Sequence, residues 1–296
     1  MRDKKRVLAL LAASAAAAIY GVNHTIAKDL MPDIIKSNGF ILLRVAIAAI
    51  LFWITGLFVP KQKIETRDWG RILLCAIFGM VINMLAFFKG LSLSTPINSS
   101  VMITLVPVMI LILSVVFLKE KATLIKTLGI GLGLVGALVL IFFGIKTQDN
   151  APNIPLGNFF FVINALSYSI YLIMVKPLAV KYNVITLMKW FFLIATIINL
   201  PIGIFQLSLV IWDKLPINIL LQIAFVVVGT TYFTYLFNIF ALKQLKPSTI
   251  GAFIYLQPLL AVLFAVLVGA DHLTGLRIGA AVLIFTGVYF SSKKTV

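Results

Sequence analysis

Acidic side chains are scarce in this chain. Its 296 residues include 9 Asp and Glu against 25 Lys and Arg; charged residues make up 11% and hydrophobic residues 61%. So little polar surface cannot cover a water-soluble particle, which disfavours a soluble globular enzyme. The formal charge of +16 does not predict nucleic-acid binding, because the cations punctuate apolar runs and do not cluster on one segment. The composition predicts an integral membrane protein.

Cysteine is almost absent, and so are the motifs of cofactor chemistry. The single cysteine, Cys75, lies within an apolar run, which excludes an intramolecular disulfide and a cysteine-based metal site. The chain also lacks the glycine-rich loop ending in Gly-Lys-Ser or Gly-Lys-Thr that binds nucleotide phosphates. We expect no metal and no cofactor, so active transport would have to be coupled to ions or to exchange.

Long apolar runs divide the chain into segments that match the width of a bilayer. A helix needs about 20 apolar residues to cross a hydrocarbon core of about 30 Å. Ten such runs are present: 7–27, 37–59, 69–91, 97–118, 124–144, 156–175, 186–209, 217–242, 248–268 and 275–290. A membrane barrel is disfavoured, because its strands are about ten residues long and alternate apolar with polar residues. The sequence predicts an all-α integral membrane protein with ten transmembrane helices.

The basic residues predict the orientation of these helices. If the amino terminus is cytoplasmic, most of the 25 Lys and Arg fall on the cytoplasmic side. Both termini are therefore expected in the cytoplasm, with the chain spanning the inner cell membrane many times. Four cations before an alanine-rich run also fit a cleavable signal peptide, but the apolar stretch continues past Tyr20, beyond a signal core of about 7 to 15 residues.

The chain resembles itself at a nearly fixed offset. Shifts of 151 and 148 residues align Pro96 with Pro247, Pro107 with Pro258, Glu120 with Asp271, Thr123 with Thr274, Lys126 with Arg277, Gly136 with Gly287, Tyr20 with Tyr168 and Lys28 with Lys176. Each half then holds five spans, and an odd number inserts the second half upside down. We expect a first repeat at 1–146, a polar linker at 147–155 and a second repeat at 156–296.

Two sets of motifs recur in the halves. The first half carries Thr95-Pro-Ile-Asn-Ser-Ser, Leu105-Val-Pro107, Phe117-Leu-Lys-Glu120-Lys and the glycines Gly129, Gly131, Gly133 and Gly136; the second carries Lys246-Pro-Ser-Thr, Gln257-Pro258, Asp271 and Gly287. These motifs resemble the EamA repeat of the drug/metabolite transporter superfamily over nearly the whole chain, although the repeat usually has Glu at the place of Asp271. The resemblance implies a ten-helix carrier of small metabolites, often an exporter of amino acids or related compounds.

The leading interpretation is a secondary transporter that exports a small polar metabolite, such as an amino acid or a related zwitterion or anion, by alternating access between two inverted repeats. A lipid or lipid-carrier flippase of the same fold is an alternative. A membrane-embedded enzyme is disfavoured, because His24 and His272 stand on unrelated segments without a carboxylate cluster. The expected partners are a small-molecule substrate and the lipid bilayer, with no nucleic acid, and one chain could work as a monomer.

Ionisable side chains within a span are costly to insert and are therefore candidates for function. No Asp or Glu lies deep within a predicted span, which argues against cationic drugs as substrates. Lys28 and Lys176 end the first and sixth spans, where each could meet an anionic group at a gate or snorkel to the interface. Arg44 lies about 12 Å further in than Lys36, too deep for snorkelling, so we expect it to bind substrate or to pair with helix-end carbonyls.

A polar face on the first span is expected to line a cavity. Tyr20, Asn23, His24 and Lys28 recur at three- and four-residue spacing along one side of the helix. His24 titrates near neutral pH, so it could couple transport to protons, or it could be a neutral imidazole bonded to a backbone carbonyl.

Further neutral polar residues are candidates for orienting a zwitterion, or for hydrogen bonds between helices. The amides and the phenol in this set are Asn83, Asn98 and Tyr168. The resemblance adds Tyr171, Tyr235, Tyr255 and Gln257, which lie on helices that surround the central cavity in this family.

Prolines and glycines suggest where helices bend and where they approach closely. Pro107 and Pro258 each remove a backbone donor within an apolar run, so we expect a hinge, or a fixed bend, at each. Gly129, Gly133 and Gly136 are expected to let neighbouring helices pack closely.

Overall fold

The computed structural model describes residues 2–118, 124–143, 149–245, 253, 256–269 and 273–292. Over these residues the chain forms helices joined by short connections, and no β-strand occurs. Six helices in this part are long and apolar enough to cross a membrane, judged by length and composition: Lys5–Asp29, Ser37–Phe58, Thr66–Leu93, Ile154–Lys181, Val184–Ser208 and Ile217–Gln244. The all-helical prediction holds over the described residues, whereas the number of ten spans stays a prediction.

The helices are numbered in chain order. They are α1 (Arg2–Asp29), α2 (Ser37–Thr55), α3 (Trp69–Ala76), α4 (Asn83–Leu93), α5 (Pro96–Met102), α6 (Leu105–Leu118), α7 (Leu124–Phe142), α8 (Ile154–Lys181), α9 (Val184–Ser208), α10 (Ile217–Ala224), α11 (Thr234–Gln244), α12 (Leu256–Leu267) and α13 (Gly275–Ser292). Two π-helical stretches, Ile77–Ile82 and Phe225–Phe233, join α3 to α4 and α10 to α11. Each pair therefore forms one long helix.

Polar residues set the beginnings of several helices. The Thr95 hydroxyl accepts a hydrogen bond from the backbone N–H of Asn98, and Pro96 occupies the first turn of α5, where a missing N–H does no harm. The side chains of Asn153 and Asn183 cap α8 and α9 in the same manner. Three of the polar breaks between the apolar runs thus supply helix caps.

The first π-helical stretch offers backbone carbonyls to other helices. A π-helical turn holds an extra residue and so breaks the regular α-helical ladder. The carbonyl of Phe78 accepts a hydrogen bond from Ser167 Oγ at 2.6 Å, and the carbonyl of Gly79 accepts one from Tyr235 Oη at 3.0 Å. The backbone carbonyls at this interruption of the α-helical hydrogen bonding therefore bond side chains of other helices.

Helices distant in sequence pack in pairs. α2 packs against α9, α7 against α13, α1 against both α11 and α12, and α8 against both α4 and α6. Three of these pairs, α2 with α9, α7 with α13 and α4 with α8, approach so closely that an added side chain would collide with backbone. A Cβ on Gly203 of α9 would lie 2.5 Å from the carbonyl oxygen of Asn38, and one on Gly287 of α13 would lie 2.5 Å from that of Gly129. The Gly129 contact agrees with the close packing expected of the glycine series.

The fourth predicted span is interrupted. Between α5 and α6, the N–H of Thr104 bonds the carbonyl of Val101, three residues back, at 3.2 Å. Pro107 stands in the first turn of α6, and the carbonyl of Ile103, which it cannot serve, accepts from Val106 N at 3.0 Å.

Part of the ninth predicted span lies outside the described residues, Tyr255 included. Pro258 lies within α12. The hinge roles of Pro107 and Pro258 stay predictions.

Candidate functional site

A partly open cavity lies among helices from both predicted halves, with about 560 Å³ of empty space when the space on its open side is included. It is lined by Tyr20, Asn23, His24, Arg44, Asn83, Met84, Phe87, Phe88, Ile103, Asn164, Tyr168, Tyr235 and Gln257. These residues belong to α1, α2, α4, α8, α11 and α12 and to the break between α5 and α6. Asn23, His24 and Arg44 are no more than 3% exposed. Polar groups thus converge at a place enclosed by apolar helices.

The cavity brings together eight of the eleven residues predicted to bind substrate: Tyr20, Asn23, His24, Arg44, Asn83, Tyr168, Tyr235 and Gln257. Asn98 does not line it, since its side-chain amide donates to Asn158 Oδ1 at 3.3 Å and joins α5 to α8. Tyr171 does not line it either, because its ring packs over Gly79, where a Cβ would lie 2.5 Å from the ring. Tyr255 lies outside the described residues. A role in binding stays a prediction for all eleven.

Five lining residues lie outside the set of eleven: Met84, Phe87, Phe88, Ile103 and Asn164. Four of them are apolar, and an apolar side chain in a membrane helix suits lipid, protein core or cavity equally well. Only Asn164 carries a detectable signal, because it is an amide within a predicted apolar span.

Arg44 reaches the cavity from α2. Its Nε donates to Thr231 Oγ1 at 2.8 Å, in the second π-helical stretch, and the Thr231 hydroxyl donates in turn to the carbonyl of Val226 at 3.0 Å. The guanidinium carbon lies 4.5 Å from the centre of the Phe88 ring, whose π face attracts a cation. The described contacts of Arg44 are therefore a hydroxyl and a ring, and not helix-end carbonyls.

His24 is tied to α5 by a chain of two hydrogen bonds. Its Nδ1 lies 2.6 Å from Ser99 Oγ, and the Ser99 hydroxyl donates to the carbonyl of Pro96 at 2.9 Å. Because the hydroxyl proton is directed at Pro96, we assign the ring proton to Nδ1, which donates to Ser99. The neutral imidazole is then left with Nε2 as a hydrogen-bond acceptor.

Two asparagines bridge α4 and α8 within the cavity lining. Asn164 Nδ2 donates to the carbonyl of Asn83 at 2.9 Å, and Asn83 Nδ2 donates to that of Asn164 at 3.4 Å. The side-chain oxygens of Asn164 and Asn23 are buried and have no hydrogen-bond partner among the described residues. Buried acceptors are usually satisfied, so these two oxygens are suited to accept N–H or O–H groups of a bound solute.

Lys28 and Lys176 contact helix ends in a parallel manner. Lys28 Nζ donates to the carbonyl of Leu91 at 2.8 Å near the end of α4, and Lys176 Nζ donates to those of Leu242 and Leu245 at the end of α11, the latter at 2.8 Å. The last carbonyls of a helix lack intrahelical donors and favour a nearby cation. Each lysine thus caps a helix, and its role as a gate stays a prediction.

An ion-pair network lies apart from the cavity lining and joins the connection after α2 to the turn between α8 and α9. Lys181 Nζ lies 2.6 Å from Glu65 Oε1 and 2.6 Å from Asp68 Oδ2. Arg67 Nε lies 2.7 Å from the other Glu65 oxygen, and the Tyr182 hydroxyl donates to Asp68 Oδ2 at 2.6 Å. The hydrogen bond from Lys181 lowers the pKa of the Glu65 carboxyl.

Metal ligands do not cluster in the part of the chain that the structure describes. No group of three or more His, Cys, Asp or Glu there could hold a metal ion, and Cys75 is buried and free. The chemistry that the cavity offers is therefore hydrogen bonding together with one buried cation.

Known proteins of the same kind agree with the motif resemblance. The sequence model of the EamA-like transporter family matches residues 7–142 and 155–293. An uncharacterized transporter of Archaeoglobus fulgidus is 26% identical over 252 residues, which cover 85% of this chain and 87% of the relative. The uncharacterized transporter YetK of Bacillus subtilis is 25% identical over 209 residues, which cover 69% of this chain and 62% of YetK.

The fold has a counterpart among solved structures. One crystal structure superposes with a TM-score of 0.67 at 17% sequence identity, over 98% of each chain. Together with the apolar helices, the family match identifies a multi-pass membrane protein and a transporter of the drug/metabolite transporter superfamily. The chain belongs to the EamA-like transporter family.

Proposed function

We propose that this chain is a secondary transporter that exports a small polar metabolite, such as an amino acid or a related zwitterion or anion. The observation that carries the proposal is the cavity, lined by several polar side chains, to which helices of both halves contribute. Transport would proceed by alternating access, with the two inverted repeats moving about this cavity. The proposal includes repeats at 1–146 and 156–296 joined by 147–155, ten helices, both termini in the cytoplasm, the inner cell membrane and a monomeric carrier.

Paired features support the inverted-repeat part of the proposal. α4 packs on α8 as α1 packs on α11, and α6 packs on α8 as α12 packs on α1. Ile77 and Phe225, which begin the two π-helical stretches, stand 148 residues apart, as do Lys28 and Lys176, which cap helix ends. A similar offset in sequence and in contacts is what two copies of one unit would leave.

The chemistry of the lining supports a polar solute. Arg44, His24, amides and phenols offer charge, donors and acceptors, and Phe87 and Phe88 offer apolar surface. The described lining residues include no Asp or Glu, so a lipophilic cation would find no counter-charge there. This composition fits an amino acid or an organic anion better than a cationic drug.

Counterflow in proteoliposomes tests the proposal. Vesicles containing the purified chain are loaded with pooled unlabelled amino acids, and uptake of the labelled pool is measured with and without a pH gradient. We expect uptake above that of protein-free vesicles. Ile103→Trp, which fills the cavity, should abolish it, whereas Ile197→Trp, at a position that is 63% exposed, should not.

The same vesicles separate the alternatives. Accumulation that follows the gradient and disappears in His24→Ala would support proton coupling, and gradient-independent exchange that survives in His24→Ala would leave His24 a packing residue. Transfer of a fluorescent phospholipid between leaflets, with no flux of the solutes, would identify the chain as a flippase and not as a solute carrier.

A further inference from the structure

Arg44 carries a buried charge that the described protein does not neutralise. Its side chain is buried, with the residue 3% exposed, and it forms no ion pair among the described residues, where the ion pairs join Lys181 and Arg67 to Glu65 and Asp68. A charge buried in a membrane protein usually pairs with an opposite charge or lines an aqueous cavity, because an isolated one is expensive. Arg44 lines a cavity, and an opposite charge in the described lining is lacking.

Among the nitrogens of the guanidinium, Nε is the one that donates a hydrogen bond to a described residue. Thr231 accepts from Nε at 2.8 Å and is itself fixed by its bond to Val226, while Phe88 covers one face of the guanidinium. A guanidinium has five N–H donors, and the described part of the chain supplies an acceptor to only the one on Nε. The remaining four belong to the two Nη groups, whose planar arrangement suits two oxygens of one carboxylate.

Residues that line the same cavity carry acceptors that suit the rest of such a solute. The side-chain oxygens of Asn23 and Asn164 are buried without described partners. His24 adds an acceptor through Nε2 in the tautomer assigned above. Tyr20, Tyr168 and Tyr235 are neutral phenols at neutral pH, so Arg44 is the only described lining residue that is cationic when His24 is neutral.

We infer that the Nη groups of Arg44 are the seat of a single carboxylate of the transported solute, and that the amide oxygens accept a hydrogen-bond donor of the same solute. This inference rests on the proposed function and narrows its substrate class to small amino or hydroxy carboxylates. Binding then neutralises the buried charge. The primary amide of the same solute has the same shape but lacks the negative charge, so it is rejected.

Matched pairs of a carboxylic acid and its primary amide test whether Arg44 binds the carboxylate of the solute. The purified full chain in detergent, at about pH 8 and constant ionic strength, is unfolded thermally with L-alanine or L-alaninamide, L-leucine or L-leucinamide, and L-lactate or L-lactamide. At this pH His24 is neutral. We expect at least one acid to raise the unfolding midpoint by several degrees while its amide does not. In Arg44→Gln the acid should raise it no more than the amide does.

Two further variants keep the result interpretable. Arg44→Lys retains the charge without the planar fork and should weaken the affinity for the acid at least tenfold while folding normally. Lys189→Gln removes a cation from α9 that lies over the Trp53 ring, 4.9 Å from its centre, and not in the cavity; it should respond as the native chain does.

Contrary results can be assigned to one proposal or the other. Three results would each overturn the inference that Arg44 binds a carboxylate. An amide could raise the unfolding midpoint as much as its acid, the acid could raise it fully in Arg44→Gln, or no pair could change it. Counterflow of the pooled solutes, measured separately, would still show whether the chain is a carrier. Phospholipid transfer that requires Arg44 would assign its cation to a lipid headgroup and so overturn the inference for free solutes.

Discussion

The hydroxyl of Tyr235 donates a hydrogen bond to the backbone carbonyl of Gly79 over 3.0 Å, across 156 residues of sequence. Tyr235 belongs to α11 and also lines the cavity, whereas Gly79 lies in the π-helical stretch before α4. A cavity residue of the second half is thereby fixed to an irregular carbonyl of the first. This bond makes the shape of the cavity depend on the π-helical stretch.

Tyr235→Phe should lower the free energy of unfolding by about 1 kcal/mol, because the buried carbonyl of Gly79 loses its donor while the ring stays in place. Thermal unfolding in detergent measures the change. Tyr289→Phe, at a ring that is 63% exposed, is the matched control and should change nothing. Equal midpoints for Tyr235→Phe and the native chain would show that the bond adds no stability.

Gly79→Ala should destabilise the chain by about 1 to 3 kcal/mol, since the added Cβ would lie 2.5 Å from the ring of Tyr171, which is fully buried. Gly70→Ala, in α3, has no atom within 4 Å of its added Cβ. It should be neutral, or stabilising by up to about 1 kcal/mol through helix propensity. Chemical or thermal unfolding should show a loss of stability for Gly79→Ala and none for Gly70→Ala, and equal effects would contradict the described contact.

Ser99→Ala should weaken solute binding, because Nδ1 of His24 loses its acceptor and the imidazole loses its fixed orientation. An unsatisfied buried donor costs about 1 to 3 kcal/mol, which corresponds to roughly five- to 150-fold in affinity if the whole loss falls on binding. The half-saturating concentration in counterflow measures it. Ser100→Ala removes a hydroxyl that bonds only the carbonyl of Ile97 in the described contacts, and it should leave that concentration unchanged.

Lys176→Met should lower stability by about 1 to 3 kcal/mol, because the carbonyls of Leu242 and Leu245 lose their donor at the end of α11. Lys214→Met, on a short turn before α10, is the control and should have no effect. A gate that binds solute predicts a different result, namely a loss of counterflow with the unfolding midpoint unchanged. Measuring both quantities on one preparation distinguishes the two roles.

The ion-pair network around Lys181 should make the stability of the fold depend on pH. Because the pKa of the Glu65 carboxyl is lowered in the folded chain, its ion pair stabilises the fold above the ordinary pKa of about 4.3. That stabilisation is lost as the pH falls through the lowered value. Native chain and Glu65→Gln should therefore differ in unfolding midpoint at neutral pH and converge in strong acid. Asp213→Asn, which breaks no described ion pair, should differ little from the native chain throughout.

The helices and the polar face of the first span could be predicted from the sequence. Continuous apolar runs give helices because the backbone must satisfy its own hydrogen bonds in lipid. Tyr20, Asn23 and His24 line the cavity together because three- and four-residue spacing places them on one side of α1. Periodicity within one helix was sufficient for these three residues.

The contacts between helices could not be predicted from the sequence. Tyr168 and Tyr171 stand three residues apart on α8, yet Tyr168 lines the cavity and Tyr171 packs on Gly79. Which of them faces the cavity depends on how α8 is rotated against the π-helical stretch, and no single-helix pattern encodes that rotation. The contact of Phe88 with Arg44 was hidden for the same reason, since an aromatic residue in an apolar helix carries no mark of its partner.

The π-helical stretches also affect how this chain should be aligned with its relatives. α3 packs against both α9 and α8, while α4 packs mainly against α8, so the stretch between them lies where the long helix changes its main neighbour. Deleting one residue within Ile77–Ile82 would remove the extra residue and restore a regular α-helical turn, so the carbonyls of Phe78 and Gly79 would return to the helix's own ladder and lose their hydrogen bonds from Ser167 and Tyr235. Single-residue gaps placed there by an alignment therefore imply a rebuilt cavity wall, whereas gaps of similar size in surface connections carry no such meaning.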